Sequence, residues 1–187
     1  ADIIFHLAVM NLRECMVRPD EAREINAGGT RNACAAALEA RAGLVNISTS
    51  GIYGDVDVFP TSETAVPKPA TVYGRTMLEA EKIVSEIQSE TALHALTVRP
   101  FNTYGPGEHI AGNSGEVLPR FILYGLAGLP LPVYGTGEQT RSFTYISDTV
   151  RGIAAAASLL RRPPLQTPIN IANPTEISVL QAAHAVL

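Results

Sequence analysis

The order of segments along the chain predicts an α/β fold: a Rossmann-like, doubly wound parallel sheet with a smaller C-terminal lobe. Short apolar runs of strand length alternate with segments of helical periodicity, the pattern that lays parallel strands between two helical layers. The first runs are near-continuously apolar, as strands buried on both faces are. Hydrophobic residues make up 46% of the 187 positions and charged residues 17%, enough to build a sizeable core.

Each element follows in turn. Ile3–Leu7 reads as a first strand, buried on both faces. Pro19 and Asp20 supply a helix start, and dense alanines carry that helix over Asp20–Ala40. Gly28-Gly29 interrupts it, and small residues there predict close packing on a neighbouring element. Leu44–Ser48 is a second buried strand. Gly51–Ala70, with three prolines, is a loop. A helix over Thr71–Glu90 leads to a strand at Ala95–Val98, then to a long Gly-rich loop from Pro100 to Glu116. Val117–Ala127 is helical, Leu131–Tyr134 a short strand, Ser147–Leu160 a helix, Ile169–Ala172 a strand, and Ile177 onward a helix. Elements shorten after about residue 105, which predicts a main domain over 1–105 and a smaller lobe over 106–187 whose last elements return to the sheet. The chain opens directly in a strand (ADIIFHLA) and closes inside an apolar helix (QAAHAVL), so both ends are expected to be cut from a longer polypeptide.

Composition narrows the function classes. A net charge of −4 with scattered arginines argues against a nucleic-acid or anionic-membrane surface. No stretch approaches the ~20 apolar residues of a membrane span, and no signal peptide is visible. Cys15 and Cys34 match neither a metal spacing nor a disulfide framework, and read as free thiols in a reducing cytoplasm. His6, His94, His109 and His184 are isolated, so no metal site is expected.

Five short stretches carry the chemistry: HLA (His6–Ala8), STSGIYG (Ser48–Gly54), YGRTM (Tyr73–Met77), RPFNTYGPG (Arg99–Gly107) and VYGTGEQTRSFTYISD (Val133–Asp148). Ligands of open parallel sheets bind beyond the carboxyl ends of the strands. HLA, STS and RPFN each fall at the end of a predicted strand, so all three are expected to line one crevice. In this order the five stretches resemble the extended short-chain dehydrogenase/reductase family, and within it the NAD-dependent nucleotide-sugar epimerases and dehydratases. The likeness runs nearly end to end.

The resemblance implies NAD as cofactor and a nucleotide-diphosphate sugar as substrate, handled by a cytoplasmic homodimer that pairs through the helices at Asp20–Ala40 and Thr71–Glu90. It makes 1–105 part of the NAD-binding domain and 106–187 mainly a substrate-binding lobe. Leu7, Ala8, Ser48, Tyr73 and Pro100 would line the cofactor. Thr49 would hydrogen-bond the sugar hydroxyl being oxidised, and Tyr73 would take its proton. Asn102 would contact the substrate phosphates, Arg120 and Val133 lie in segments that enclose the nucleoside base, and Arg141 would grip the pyrophosphate. Without the resemblance, Thr49 also reads as a strand-end hydroxyl capping local backbone, and Arg141 as a solvated loop residue. Asp148 reads as a helix cap, Tyr53 and Tyr104 as packing and turn residues, and Glu63 and Glu108 as exposed loop charges.

Several positions depart from the family's pattern. A free tyrosine, with a pKa near ~10, is scarcely ionised at neutral pH. The family supplies a lysine one helical turn on; here that position is Met77, which has neither charge nor donor. Arg75 points to the opposite side, and Lys82 lies about half a turn away in angle and ~13 Å along the axis. Weakened turnover is therefore expected. The Asp-Glu pair that follows the threonine in sugar dehydratases is Ser50-Gly51 here. That leaves C4 epimerisation by transient oxidation, and Gly51 counts against sugar-acid decarboxylation as well. Ser142 replaces an aspartate. The family's G-x-x-G-x-x-G phosphate loop is not among these residues, so a polypeptide beginning at Ala1 is expected to bind NAD poorly. The expected function is an epimerase, the alternatives being a catalytically weak binding relative or a dehydratase or decarboxylase variant.

Overall fold

The computed structural model describes residues 2–56, 58–108, 116–161 and 165–187. His109 and much of the expected Gly-rich loop lie outside them, as does Ala1. The described residues divide into two units, one formed by Ala1–Pro100 with Val150–Ile171 and the other by Phe101–Thr149 with Ala172–Leu187.

The first unit is built on four parallel strands, β1 (Ile3–His6), β2 (Gly43–Ile47), β3 (Ala95–Pro100) and β7 (Ile169–Ile171), in the order β1-β2-β3-β7. Registers such as Phe5↔Val45↔Leu96 align their carboxyl ends. Strand residues alternate between two apolar layers, as the two-residue period requires. Leu44 and Ala95 pack with Cys34 and Ala37 of helix α3 (Gly29–Ala40) and with Val84 of helix α4 (Val72–Glu90). Val45, Leu96 and Val98 pack on the other face with Ala156 and Ala157 of helix α6 (Ile146–Ala157). This is the doubly wound arrangement. Cys15 and Cys34 are buried free thiols.

β1 is less buried than expected: Phe5 is 44% exposed, and among the described residues the strand pairs only with β2. An additional helix, α1 (Leu12–Val17), starts at Asn11, whose Oδ1 accepts the amides of Arg13 and Glu14, both at 3.1 Å. Cys15 is buried in it while Leu12, Met16 and Val17 are exposed, and six residues are too few for a firm periodic signal. The expected helix over Asp20–Ala40 is α2 (Pro19–Arg23) running through a π turn (Glu24–Gly28) into α3. The close packing expected at Gly28-Gly29 is not found among the described residues, none of which places a neighbouring atom within 4 Å of where a Cβ would sit on either.

The second unit holds helices α5 (Val117–Leu126) and α7 (Val179–Val186) around Phe121, Val179, Ala182 and Ala183. Its strands are two or three residues long: β4 (Thr103–Tyr104) beside β6 (Thr144–Tyr145), and β5 (Thr140–Ser142) antiparallel to β8 (Glu176–Ser178). Such pieces are too short for a periodic signal. The strand expected at Leu131–Tyr134 is absent. The Val133 amide turns back to the Leu131 carbonyl at 3.0 Å, a γ-turn pairing that extended backbone cannot make. Leu131 and Val133 are apolar because they cover the Phe121 cluster. The last helix begins at Val179, not Ile177, where Ser178 and Gln181 form a capping box. No helix among the described residues is long and apolar enough to cross a membrane.

Candidate active site

The residues expected to serve catalysis and cofactor lie in the first unit: Leu7, Ala8, Ser48, Thr49 and Pro100 at or just past the carboxyl ends of its strands, and Tyr73 and Met77 on helix α4. Leu7 and Ala8, just past β1, are exposed, and Pro100 ends β3 half-buried. Thr49 continues β2 with extended backbone, and its Oγ1 accepts the Gly51 amide at 3.1 Å, which opens a short 3-10 turn over Ser50–Ile52. The hydroxyl thus caps local backbone while standing at the strand end.

Helix α4 is held against this turn by its own start. Thr71 caps it through Oγ1, which accepts the Gly74 amide at 3.0 Å. Gly74 then comes so near the turn that a Cβ on it would lie 2.7 Å from the Gly51 carbonyl oxygen and 3.0 Å from Pro69 Cβ. Only a glycine fits, and the contact brings Tyr73 to Thr49. A Cβ on Gly51 would sit 3.5 Å from Thr49 Oγ1 and 4.0 Å from Tyr73 Cδ1. The absent side chain at Gly51 therefore leaves room flanked by both expected catalytic residues.

Tyr73 is half-buried against Met10, Cys15 and Ala22. Its carbonyl accepts from Thr76 Oγ1 at 2.9 Å, and Thr76 Oγ1 accepts from Asn26 Nδ2 at 2.9 Å. Asn26, 1% exposed in the π turn, also accepts the Met10 amide at 2.7 Å. Its own carbonyl accepts from Thr30 Oγ1 at 2.7 Å, and Thr30 Oγ1 stands 3.2 Å from His6 Nε2. Burial holds the His6 imidazole below its ordinary pKa. One turn beyond Tyr73, Met77 is buried and brings no charge. Arg75 is exposed and donates to the Ala70 carbonyl at 3.2 Å, and Lys82 is exposed.

Ser48, expected beside the cofactor, is buried with its hydroxyl donated to Glu81 Oε1 of α4. Glu81 in turn receives Arg99 of β3, Nε to Oε1 at 2.9 Å and Nη2 to Oε2 at 2.6 Å. Arg99 Nη1 donates to the Tyr53 hydroxyl at 2.6 Å, and that hydroxyl donates to Asn170 Oδ1 at 2.8 Å. Glu63 is corrected from an exposed charge to a fastening, since its carboxylate accepts the Asn170 amide of β7 at 3.0 Å. This network was not anticipated. Arg99, the one charge in the apolar strand ALTVRP, was its sequence signal; Glu81, between Glu79 and Lys82, carried none.

The expected substrate contacts lie in the second unit. Asn102, at φ 31°, donates Nδ2 to the Ser142 carbonyl at 2.9 Å. Arg120 Nη1 donates to the Tyr134 hydroxyl at 3.1 Å, its guanidinium 5.8 Å from that ring's centre. Val133 is half-buried beside Tyr134. Arg141 is exposed on β5 and donates Nη1 to the Thr140 carbonyl at 2.7 Å. Ser142, where the family has an aspartate, donates its hydroxyl to the Asn173 carbonyl. Tyr104 packs edge-on to Phe143 and Tyr145. Asp148 is within the first turn of α6, not at its cap. Glu108 is half-buried, and burial raises its carboxyl above the usual range.

Residues 1–172 match the NAD dependent epimerase/dehydratase family. Over 191 residues the chain is 36% identical to UDP-glucuronic acid decarboxylase 1 of Xenopus tropicalis, covering 99% of this chain and 44% of that protein. Over 195 residues it is 35% identical to UDP-N-acetyl-alpha-D-glucosaminuronate decarboxylase of Bacillus cytotoxicus, covering 99% and 58%. The chain thus spans about half the length of these curated relatives. It also superposes, with a TM-score of 0.84 and 27% identity, on a UDP-glucuronic acid 4-epimerase of Bacillus cereus solved with UDP-4-deoxy-4-fluoro-glucuronic acid and NAD, covering 96% of this chain and 56% of that one. A parallel sheet with Thr49 just past the end of β2 and Tyr73 on the first turn of α4, and a family match over nearly the whole chain, lead to one conclusion: the chain belongs to the NAD dependent epimerase/dehydratase family.

Proposed function

We propose that this chain carries the catalytic residues of a C4 epimerase acting on a nucleotide-diphosphate hexose. The observation behind this reading is the approach of Thr49 and Tyr73 to one point, 3.5 Å from Thr49 Oγ1 and 4.0 Å from Tyr73 Cδ1, where a Cβ on Gly51 would sit, with no carboxylate at Ser50 or Gly51 to eliminate water. The open strand ends and the two hydroxyl-bearing side chains suit the reactive end of a dinucleotide. NAD, when bound, supplies the acceptor and donor of hydride. Thr49 orients the C4 hydroxyl, and Tyr73 takes its proton as the C4–H bond breaks, leaving a ketone. Tyr73 gives the proton back when hydride returns to the other face. With Met77 in place of a lysine, the phenolate lacks a neighbouring ammonium, so turnover is slow.

A second reading is favoured by the similarity to UDP-sugar-acid decarboxylases. The same C4 ketone stands β to the carboxylate of a uronic acid. The C5–C6 bond can then break, CO2 can leave, and its electron pair passes into the carbonyl. Asn102, Arg120, Val133 and Arg141 bind the nucleotide diphosphate in either case. The proposal includes a cytoplasmic homodimer formed through the 19–40 helix and α4.

The full-length protein, supplied with NAD and a panel of UDP-, dTDP- and GDP-hexoses and UDP-glucuronic acid, tests this by NMR of the products. Expected is the C4 epimer of a neutral hexose, lost in Tyr73→Phe. Carbon dioxide from the uronic acid would move the assignment to the decarboxylases, and binding without turnover would make the protein a sugar-binding relative. Light scattering checks the dimer.

A further inference from the structure

We propose that the buried Glu81–Arg99 pair is the positioning device that sets Thr49 against Tyr73; the proposal rests on the C4 oxidation above. Glu81 and Tyr73 share one rigid helix, so where Glu81 is held, Tyr73 is held. The six-residue segment Ser48–Tyr53 carries Thr49, and each of its ends is bound by one partner of the pair. Ser48 gives its hydroxyl to Glu81, and Tyr53 receives Arg99 Nη1 at 2.6 Å with the guanidinium 4.9 Å from the centre of its ring.

The side chains of Arg99 and Glu81 are 5% and 7% exposed, and their bonds are charge-assisted, the stiffer kind of hydrogen bond. A link between α4 and β3 alone would need only the two Arg99–Glu81 bonds. The contacts to Ser48 and Tyr53 add nothing to that link; what they add is a grip on the catalytic turn. Asn170 of β7 fixes Tyr53 from the far side at 2.8 Å, so the turn is referenced to the sheet as well as to the helix. The pair bears no net charge and acts on Tyr73 by geometry, unlike the lysine that Met77 replaces.

Tyr53→Phe, which keeps the ring and removes one hydroxyl, and Glu81→Gln, which keeps the shape and removes the charge, test this in the full chain with NAD. Both variants should lower kcat about 10- to 100-fold at unchanged KM, the scale of a small misplacement of reacting groups. In a Tyr73→Phe background neither should cost anything further. Amide hydrogen exchange at Gly51 and Tyr53 should accelerate while amides of α7 stay unchanged, a readout that needs no turnover. Unchanged exchange at the turn in both variants overturns the proposal, as does an equal loss of rate with or without Tyr73. If Tyr73→Phe leaves turnover intact, the C4 reading fails instead, and exchange at Gly51 still decides whether the pair holds the turn.

Discussion

Under the proposed C4 chemistry, Met77 is the side chain on which turnover depends most. Being 4% exposed, it holds an apolar thioether one turn beyond Tyr73, where the resembled family places an ammonium. Met77→Lys should raise NAD affinity, and should raise turnover by up to about tenfold for each pKa unit the tyrosine is lowered. Cofactor titration and steady-state rates check this, and unchanged values would clear Met77 of any limiting role. The two cysteines illustrate the opposite kind of residue. Burial pushes the Cys34 thiol up to about 11 and raises Cys15 as well, and the thiolate is the reactive form. Iodoacetamide at pH 8 should leave both unlabelled in the folded protein and label both after denaturation; rapid labelling of either in the folded state contradicts the burial.

Helix α4 shows how an element delivers a residue. Its Thr71 cap, its amphipathic length and the Tyr73–Met77 spacing are all local, and the helix was legible from them. The reason for Gly74 was not, because the Gly51 carbonyl it meets lies twenty-three positions away. Gly74→Ala should cost about 1–3 kcal/mol, as overpacking does, and should lower kcat by moving Tyr73 off Thr49. Thr71→Ala should cost about 1 kcal/mol by loss of the cap while leaving that contact intact. Urea midpoints beside rates separate the two. A Gly74→Ala protein of full activity would show that the close approach is dispensable. Leu131–Tyr134 teaches the converse: an apolar run was read as a strand, but its side chains are apolar to cover Phe121, and its backbone turns.

Across the whole molecule, stability is tied to pH through His6, which bridges the end of β1 to the buried Thr30–Asn26 network. Its pKa in the fold is lowered from 6.5, so the unfolded chain takes up the proton first as pH falls. The stability this contributes is present above pH 6.5 and is lost as pH drops through the lowered value. Urea midpoints should therefore fall between pH 7 and pH 5, and the slope should flatten in His6→Gln. An identical slope in the variant would assign the acid sensitivity elsewhere.

The doubly wound fold and the strand ends that carry His6, Thr49 and Arg99 could be read from the chain without coordinates, because hydrophobic period and turn signals are properties of neighbours in sequence. So could the pairing of Tyr73 with an uncharged Met77. The approach of Gly74 to Gly51, and the chain of bonds from Glu81 through Arg99 and Tyr53 to Asn170, could not. Each joins residues from 18 to 117 positions apart. Such contacts exist only once the sheet has closed and its buried charges have found the partners that burial obliges them to have.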